Sequence, residues 1–401
     1  MQITLLHYAV PPIIGGVEVT IGAHARLLRA HGYSVQLIAG RGDAAVIIPE
    51  IDSRHPRVQA VQRELNRGNV PAEFDALVRD IQSALEHELR GSAVLIAHNV
   101  VTLHKNLALT VALHQLVAAG RAPLLAWCHD FAWDDPVYAG ELHDGAPWNL
   151  LRRKWENTKY VVVSASRQRD LARLLQINAA EIAVVPPGLD AAEFFQVSAT
   201  TAQWLHTPTL LDGAPLLLLP ARVTRRKNIE LAIDIVNALR AEGYAPQLLV
   251  MGPLGPHNPA NQAYLDELKQ RAEQTAQAKP NIVFLQEYGS VDDATRRDLY
   301  ALADALLFPS AREGFGIPIL EAGLARLPIF CADIPPFRET AGDLARYFAL
   351  DEAPRAIAAR LAEFFARDAR YQLKQRVRAQ YAWEHIFAAR LKPLLDAYEK
   401  S

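Results

Sequence analysis

Short apolar runs alternate with longer amphipathic stretches from one end of the chain to the other. In the first half the apolar runs fall at 3–8, 34–39, 93–98, 124–128, 160–164 and 182–185. Several are continuously apolar, the pattern of parallel strands covered by helices on both faces. Helical periodicity occupies 17–31, 71–89 and 166–175, and Gly32 stands where the first helix should end, in the position just past the cap. The stretch 192–215, with Pro208, Asp212, Gly213 and Pro215, reads as an irregular linker. Strand-like runs then resume at 216–219, 247–251, 282–285, 305–308 and 329–332, with helical patterns at 228–242, 261–278, 292–303 and 318–325. From Glu352 onward the pattern is helical. Two successive βα-alternating halves predict an α/β protein of two doubly wound, Rossmann-like domains, 1–195 and 196–380. Such sheets take ligands beyond the carboxyl ends of their strands. The chemistry is therefore expected just after strands, in a central cleft that the two domains face.

Composition narrows the function classes. The chain has 401 residues, half of them apolar, enough for two cores. Its 42 basic and 44 acidic residues leave a net charge of −2, so no large field points to nucleic acid or an anionic membrane. Cys128 and Cys331 close strand-like runs and read as buried hydrophobes. No apolar stretch is long enough for a transmembrane segment, and the first strand-like run begins too early for a signal peptide. A cytoplasmic location is expected.

Four segments carry candidate chemistry. The run 308–325, FPSAREGFGIPILEAGLA, reads as strand, glycine-bearing loop and helix, with Pro318 as first helical residue and Glu321 in the first turn. Gly314 and Gly316 admit a ligand close to the backbone, and the helix start favours negative charge. Glu313 and Glu321 flank this loop, and carboxylates suit an array of sugar hydroxyls better than a phosphate alone. The plainer reading makes Glu321 a dipole partner and Glu313 a solvated charge. In 219–228, LPARVTRRKN, Arg222 and Lys227 follow the first strand of the second domain and suit a diphosphate. Arg225 and Arg226 read instead as an exposed basic turn. In PPIIGGVE, Gly15 and Gly16 lack the full dinucleotide fingerprint; the turn fits a phosphate, an acceptor or a simple helix entry. In 127–133, WCHDFAW, His129 follows its strand directly and suits a sugar hydroxyl or developing charge, or else is a satisfied histidine under a loop. His98, His104 and His129 have no zinc-ligand spacing, so no metal is expected. The aromatic stretch 127–148 fits either sugar stacking or core packing.

Together these residues resemble the retaining glycosyltransferases of family 4, with the GT-B fold, along nearly the whole chain. The most specific matches are Glu313 and Glu321 with GFGIP between them, and the Arg222/Lys227 pair; GGVE, His129, VVPPGLD at 184–190 and YAWEHI match more weakly. The resemblance implies that Glu313, Gly314, Phe315 and Gly316 hold the donor sugar, Glu321 the ribose, and Arg222 with Lys227 the diphosphate. It implies that Gly16 approaches the diphosphate or acceptor and that His129 contacts the donor sugar. Glu18, Asp130 and Trp133 are the acceptor candidates. It also implies that the C-terminal helix, about 381–401, packs back on the first domain. The chain departs from the family pattern at Arg326 and at Gln286-Glu287, where glycine is often found.

The implied reaction is hexosyl transfer with retention, from a nucleotide-sugar to a carbohydrate or other hydroxyl acceptor, without a cofactor. GDP-mannose is favoured as donor and UDP-glucose comes next. His129, Arg222, Lys227 and Glu313 are the catalytic candidates. The rival readings are a nucleotide-sugar epimerase of the same fold and a non-catalytic nucleotide-sugar-binding protein. A dehydrogenase is disfavoured, since no complete Gly-x-Gly-x-x-Gly opens a helix after a strand.

Overall fold

The computed structural model describes residues 1–207, 209–255, 260–273 and 281–399. The chain divides into two compact units, Met1–Leu189 with Gln380–Ser401, and Asp190–Ala379. Each is built on one parallel sheet.

In the first unit, β1 (Gln2–His7), β2 (Ser34–Ala39), β3 (Val46–Ile47), β4 (Val94–His98), β5 (Leu124–Cys128), β6 (Thr158–Val162) and β7 (Ile182–Val184) are hydrogen-bonded in the order β3-β2-β1-β4-β5-β6-β7. Ile3 and Leu5 of β1 point into one apolar layer and Leu6 into the other, which is why the run is apolar at successive positions. One layer is closed by the helix Leu107–Ala118, capped by the Asn106 side chain on Leu109 N at 3.1 Å. The other is closed by the first helix, Gly16–Ala30, and by the returning C-terminal segment, through Ile386, Phe387, Leu391 and Leu395. That return is fitted closely. A Cβ on Gly188 would lie 2.6 Å from the Trp383 ring, and Leu189 N donates to Tyr381 O at 2.7 Å.

In the second unit, β8 (Leu216–Leu219), β9 (Gln247–Val250), β10 (Ile282–Phe284), β11 (Ala305–Phe308), β12 (Ile329–Ala332) and β13 (Arg346–Phe348) run in the order β10-β9-β8-β11-β12-β13. Both sheets thus reverse direction of growth once, between β1 and β4 and between β8 and β11. At such a switch point the flanking loops diverge and leave a crevice beyond the strand ends.

Several expectations need correction. The stretch expected to be a linker contains the helices Ala191–Phe195 and Ala199–His206. Asp190 and Ser198 cap them, and Trp204, 2% exposed, anchors the second in the core. Pro208 lies outside the described residues, as do 274–278 of the helix expected at 261–278, which is seen as Ala260–Glu273. The helix after β11 spans Ile317–Leu324, so Pro318 is its second residue, and Glu321 stands in its second turn rather than its first. Among the described residues, no helix is long and apolar enough to cross a membrane.

Candidate functional site

The switch point of the second sheet brings together two loops distant in sequence. After β8 the chain runs tightly over β9: Gly252 N donates to Ala221 O at 3.1 Å, and a Cβ on Gly252 would lie 2.6 Å from Arg222 N. It then turns through Arg225–Lys227, and Asn228 takes the left-handed conformation (φ 51°) that starts the next helix. The loop after β11 docks against this turn through Ala311 N to Arg226 O at 2.9 Å. There the Lys227 ammonium pairs with the Glu313 carboxylate, and Arg226 Nη1 lies 3.4 Å from the same group. Burial holds the Lys227 ammonium below its ordinary pKa, and the contact with Glu313 opposes that shift. Its Nζ lies 5.3 Å from the centre of the Phe308 ring, at the end of β11.

The loop beyond Glu313 is held by backbone geometry. Gly316 has φ 101°, and a Cβ there would stand 3.1 Å from the Phe337 ring, which stacks on Phe308 at 5.0 Å. Thr340 Oγ1 donates to Phe315 O at 2.6 Å. Gly314 and Phe315 are exposed, as is Arg222. Glu321 Oε1 is 3.0 Å from Arg296 Nη1. Burial, and after it the nearby Glu321 carboxylate, pushes the Tyr300 hydroxyl well above its ordinary pKa. Arg226, which reads in the sequence as part of an exposed basic turn, thus also reaches Glu313, and Arg296 carries no signal in the sequence. Arg225, by contrast, sits in an exposed pair with Glu267 at 2.8 Å.

The switch point of the first sheet is lined by imidazoles. His7 ends β1, His98 ends β4, His129 follows β5, and His24 comes from the first helix. His7 Nδ1 donates to His98 O at 2.9 Å, and His98 Nδ1 and His129 Nε2 share a hydrogen bond of 3.1 Å. His24 lies edge-on to Trp127 at 4.5 Å, with both ring nitrogens buried and unpartnered. Burial lowers all four pKa values, His24 to about 3 and His129 to about 4, so these rings are neutral at physiological pH. Among the described residues, no group of three or more potential ligands is arranged to hold a metal ion. Asn99, just past β4 with φ 60°, fixes the His129 backbone: its Oδ1 accepts from His129 N at 2.8 Å and from Asp130 N at 3.2 Å. It went unread in the sequence, although asparagine tolerates this conformation better than most residues.

The remaining candidates of this unit lie around the same strand ends. Gly15 is the N-cap and Gly16 the first residue of the Gly16–Ala30 helix, with Glu18 in its first turn, folded back over Gly15. Asp130 is exposed and accepts from Asn99 Nδ2 at 3.3 Å. Trp133 is half-buried, donates to Trp148 O at 3.2 Å and carries the Arg152 guanidinium over its ring at 3.9 Å. Trp127 and Trp148 are buried in the core. So are Cys128 and Cys331, free thiols that burial pushes up to about 12.

The family model for glycosyl transferases group 1 matches residues 204–382, and that for glycosyltransferase family 4 matches 14–193. A mannosylglucosylglycerate synthase from Thermotoga maritima is 25% identical over 372 residues, 84% of this chain and 82% of its own. The serotype-specific mannosyltransferase WbdA of Escherichia coli is 31% identical over 156 residues, 39% of this chain and 18% of that one. The structure of a sucrose-phosphate synthase from Thermosynechococcus elongatus aligns over the whole of both chains at 15% identity, with a TM-score of 0.40.

Proposed function

The chain belongs to the family 4 glycosyltransferases, and on that premise we propose that it moves a hexosyl group from a nucleotide-sugar to a hydroxyl acceptor with retention of configuration. A mannosyl donor is supported by the similarity to a mannosylglucosylglycerate synthase and to mannosyltransferases. GDP-mannose is the favoured donor and UDP-glucose the next.

The observation that carries this reading is the meeting of Lys227 and Glu313 at the switch point of the second sheet. An ammonium has three donors, so Lys227 can keep Glu313 in place and still meet a phosphate oxygen. With Arg222 it is assigned to the donor diphosphate. Glu313, oriented by Lys227 and Arg226, is assigned with the backbone of Gly314, Phe315 and Gly316 to the donor sugar. Glu321 is assigned to the ribose. On the first unit, Gly16 is assigned to the diphosphate or acceptor, His129 to the donor sugar, and Glu18, Asp130 and Trp133 to the acceptor.

In the proposed step the anomeric C–O bond to the diphosphate breaks and the acceptor oxygen bonds the same carbon from the same face. The acceptor proton passes to the departing phosphate oxygen, giving a nucleoside diphosphate. Lys227 and Arg222 stabilise the charge that grows on that leaving group. Glu313 and Glu321 serve in binding and are not an acid and nucleophile pair of the kind glycosidases use.

Thermal melts across nucleoside diphosphates and nucleotide-sugars test the donor assignment, because a ligand that binds only the folded chain raises its melting temperature. GDP and GDP-mannose are expected to stabilise the wild type and to lose that effect in Lys227→Ala. Stabilisation by UDP-glucose alone moves the donor assignment. Indifference to every nucleotide rejects it.

A further inference from the structure

A separate cavity of about 330 Å³ opens on the first unit, a size that falls among small-molecule sites. One wall is the helix Pro56–Leu65. Its residues Val58, Val61 and Leu65 are buried, and the adjoining stripe, at i, i+3, i+4 and i+7 spacing, presents Gln59, Gln62, Arg63 and, just past the helix end, Asn66 to the cavity. The other wall comes from the loops after β4 and β5, with His104, Lys105 and Glu141.

The polar groups of this cavity fall into two kinds. Carboxamides both donate and accept, which suits the hydroxyls of a polyol. The charges are unbalanced. Glu141 is engaged, its Oε2 meeting His104 Nε2 at 2.7 Å and Asn66 Nδ2 at 3.1 Å. Lys105 is held over the Tyr138 ring at 4.2 Å, and among the described residues neither it nor Arg63 has a carboxylate within ion-pair distance. The His104 ring is buried and its Nδ1 has no partner. A larger arginine-lined cavity on the second unit differs on this point. There three of the four lining arginines, Arg360, Arg367 and Arg370, are already paired with Glu352, Glu363 and Asp368, and the fourth, Arg346, lies over the Phe364 ring at 4.2 Å.

The cavity also shares its framework with His129. Asn99, which holds the His129 backbone, accepts from Leu103 N at 3.0 Å, immediately before His104 and Lys105. Both loops leave the carboxyl ends of their strands, where an open parallel sheet takes ligands.

We propose that this cavity holds the anionic end of the acceptor, whose reacting hydroxyl is left to Glu18, Asp130 and Trp133, and that the acceptor is an anionic polyol, a sugar bearing a phosphate or a carboxylate. The amide face takes the hydroxyls, and Arg63 with Lys105 takes the anionic group, Arg63 through its planar fork and Lys105 as a point charge. The assignment rests on the transferase reading and deepens it by naming the acceptor class.

Calorimetric titration of the full chain, with and without saturating GDP, tests it. The probes are glucose 6-phosphate, glucuronate and neutral glucose. At least one anionic sugar should bind tenfold or more tightly than glucose. Tighter binding of the phosphate indicates a sugar phosphate, and tighter binding of the carboxylate a sugar acid. Arg63→Gln combined with Lys105→Met should weaken that binding tenfold or more while leaving the affinity for GDP and the melting temperature unchanged. The proposal is overturned if glucose binds as tightly as the anionic sugars, if none binds, or if the double variant binds as wild type does. Failure of GDP itself to bind instead tells against the transferase reading, and leaves the cavity result to stand by itself.

Discussion

The ammonium of Lys227 and the carboxylate of Glu313 form an ion pair across 86 residues of sequence, with both side chains about one-tenth exposed. Removing one partner of such a pair strands the other charge away from water, at a cost greater than the pair itself contributes. Lys227→Ala should therefore lower the melting temperature as well as cutting turnover by roughly 10²-fold or more. Adding Glu313→Gln should restore much of the melting temperature without restoring turnover. Arg222 is exposed, so Arg222→Ala should reduce turnover comparably with no change in melting. Steady-state kinetics beside thermal melts separate these effects, and near-normal turnover in either single variant removes that residue from the diphosphate site.

The two glutamates are held by different partners, Glu313 by Lys227 and Arg226, Glu321 by Arg296. With Glu321 on the ribose, Glu321→Ala should weaken both the free nucleoside diphosphate and the nucleotide-sugar, by about 1.5–3 kcal/mol. Glu313→Ala should weaken the nucleotide-sugar and leave the free nucleotide nearly unaffected. Calorimetry resolves the difference, and equal losses of free-nucleotide affinity contradict the division of roles.

Gly316 and Gly314 flank Phe315 but differ in backbone demand. Gly316 is left-handed and abuts the Phe337 ring, whereas a Cβ at Gly314 would meet nothing within 4 Å. Gly316→Ala should cost about 1–2 kcal/mol in stability and displace the donor loop, lowering nucleotide-sugar affinity. Gly314→Ala should fold as wild type. A Gly316→Ala protein that melts and binds normally shows that the loop does not depend on this conformation.

These contrasts mark what the sequence makes legible. Continuous apolar runs announce parallel strands because both faces of the sheet are covered, and FPSAREGFGIP shows a strand, a glycine turn and a helix start in a few residues. The helix Leu107–Ala118 escapes because it is apolar nearly all round and has little periodicity to read. The helices in 192–215 escape because their caps, Asp190 and Ser198, sit among turn-forming residues. Arg226 resembles any exposed basic turn until Ala311 docks on it, and Arg296 resembles any polar helix face until Glu321 reaches it. Contacts between segments so far apart leave no local signal. The four imidazoles at the first switch point are hidden for the same reason, since they come from four separate elements.

Those imidazoles give the first unit a defined acid sensitivity. Burial sets His24 at about 3 and His129 at about 4, below the ordinary value of 6.5. Glu18 and Asp130 pull His7 and His129 respectively the other way, but burial is the larger influence. Between those values the unfolded chain binds more protons than the folded one. Stability is therefore fully present above pH 6.5 and is lost as the pH falls toward about 4. Each such ring adds a slope of up to about 1.4 kcal/mol per pH unit. His24→Phe, set among Trp127, His98 and Trp383, should flatten the acid limb by about one ring's share. Urea melts from about pH 7.5 to about pH 5 measure this, and an unchanged slope excludes His24 as a contributor.

Hexosyl transfer to an acceptor with retention is tested by one assay. The chain is incubated with α-linked GDP-mannose and candidate hydroxyl acceptors, while nucleotide release and the anomeric proton of the product are followed by NMR. GDP release should require an acceptor, the product should carry an α-anomeric linkage, and both should be lost in Lys227→Ala. A β-linked product contradicts retention. Conversion of the sugar without any acceptor, or no reaction with any nucleotide-sugar across the acceptor panel, contradicts the transferase assignment itself.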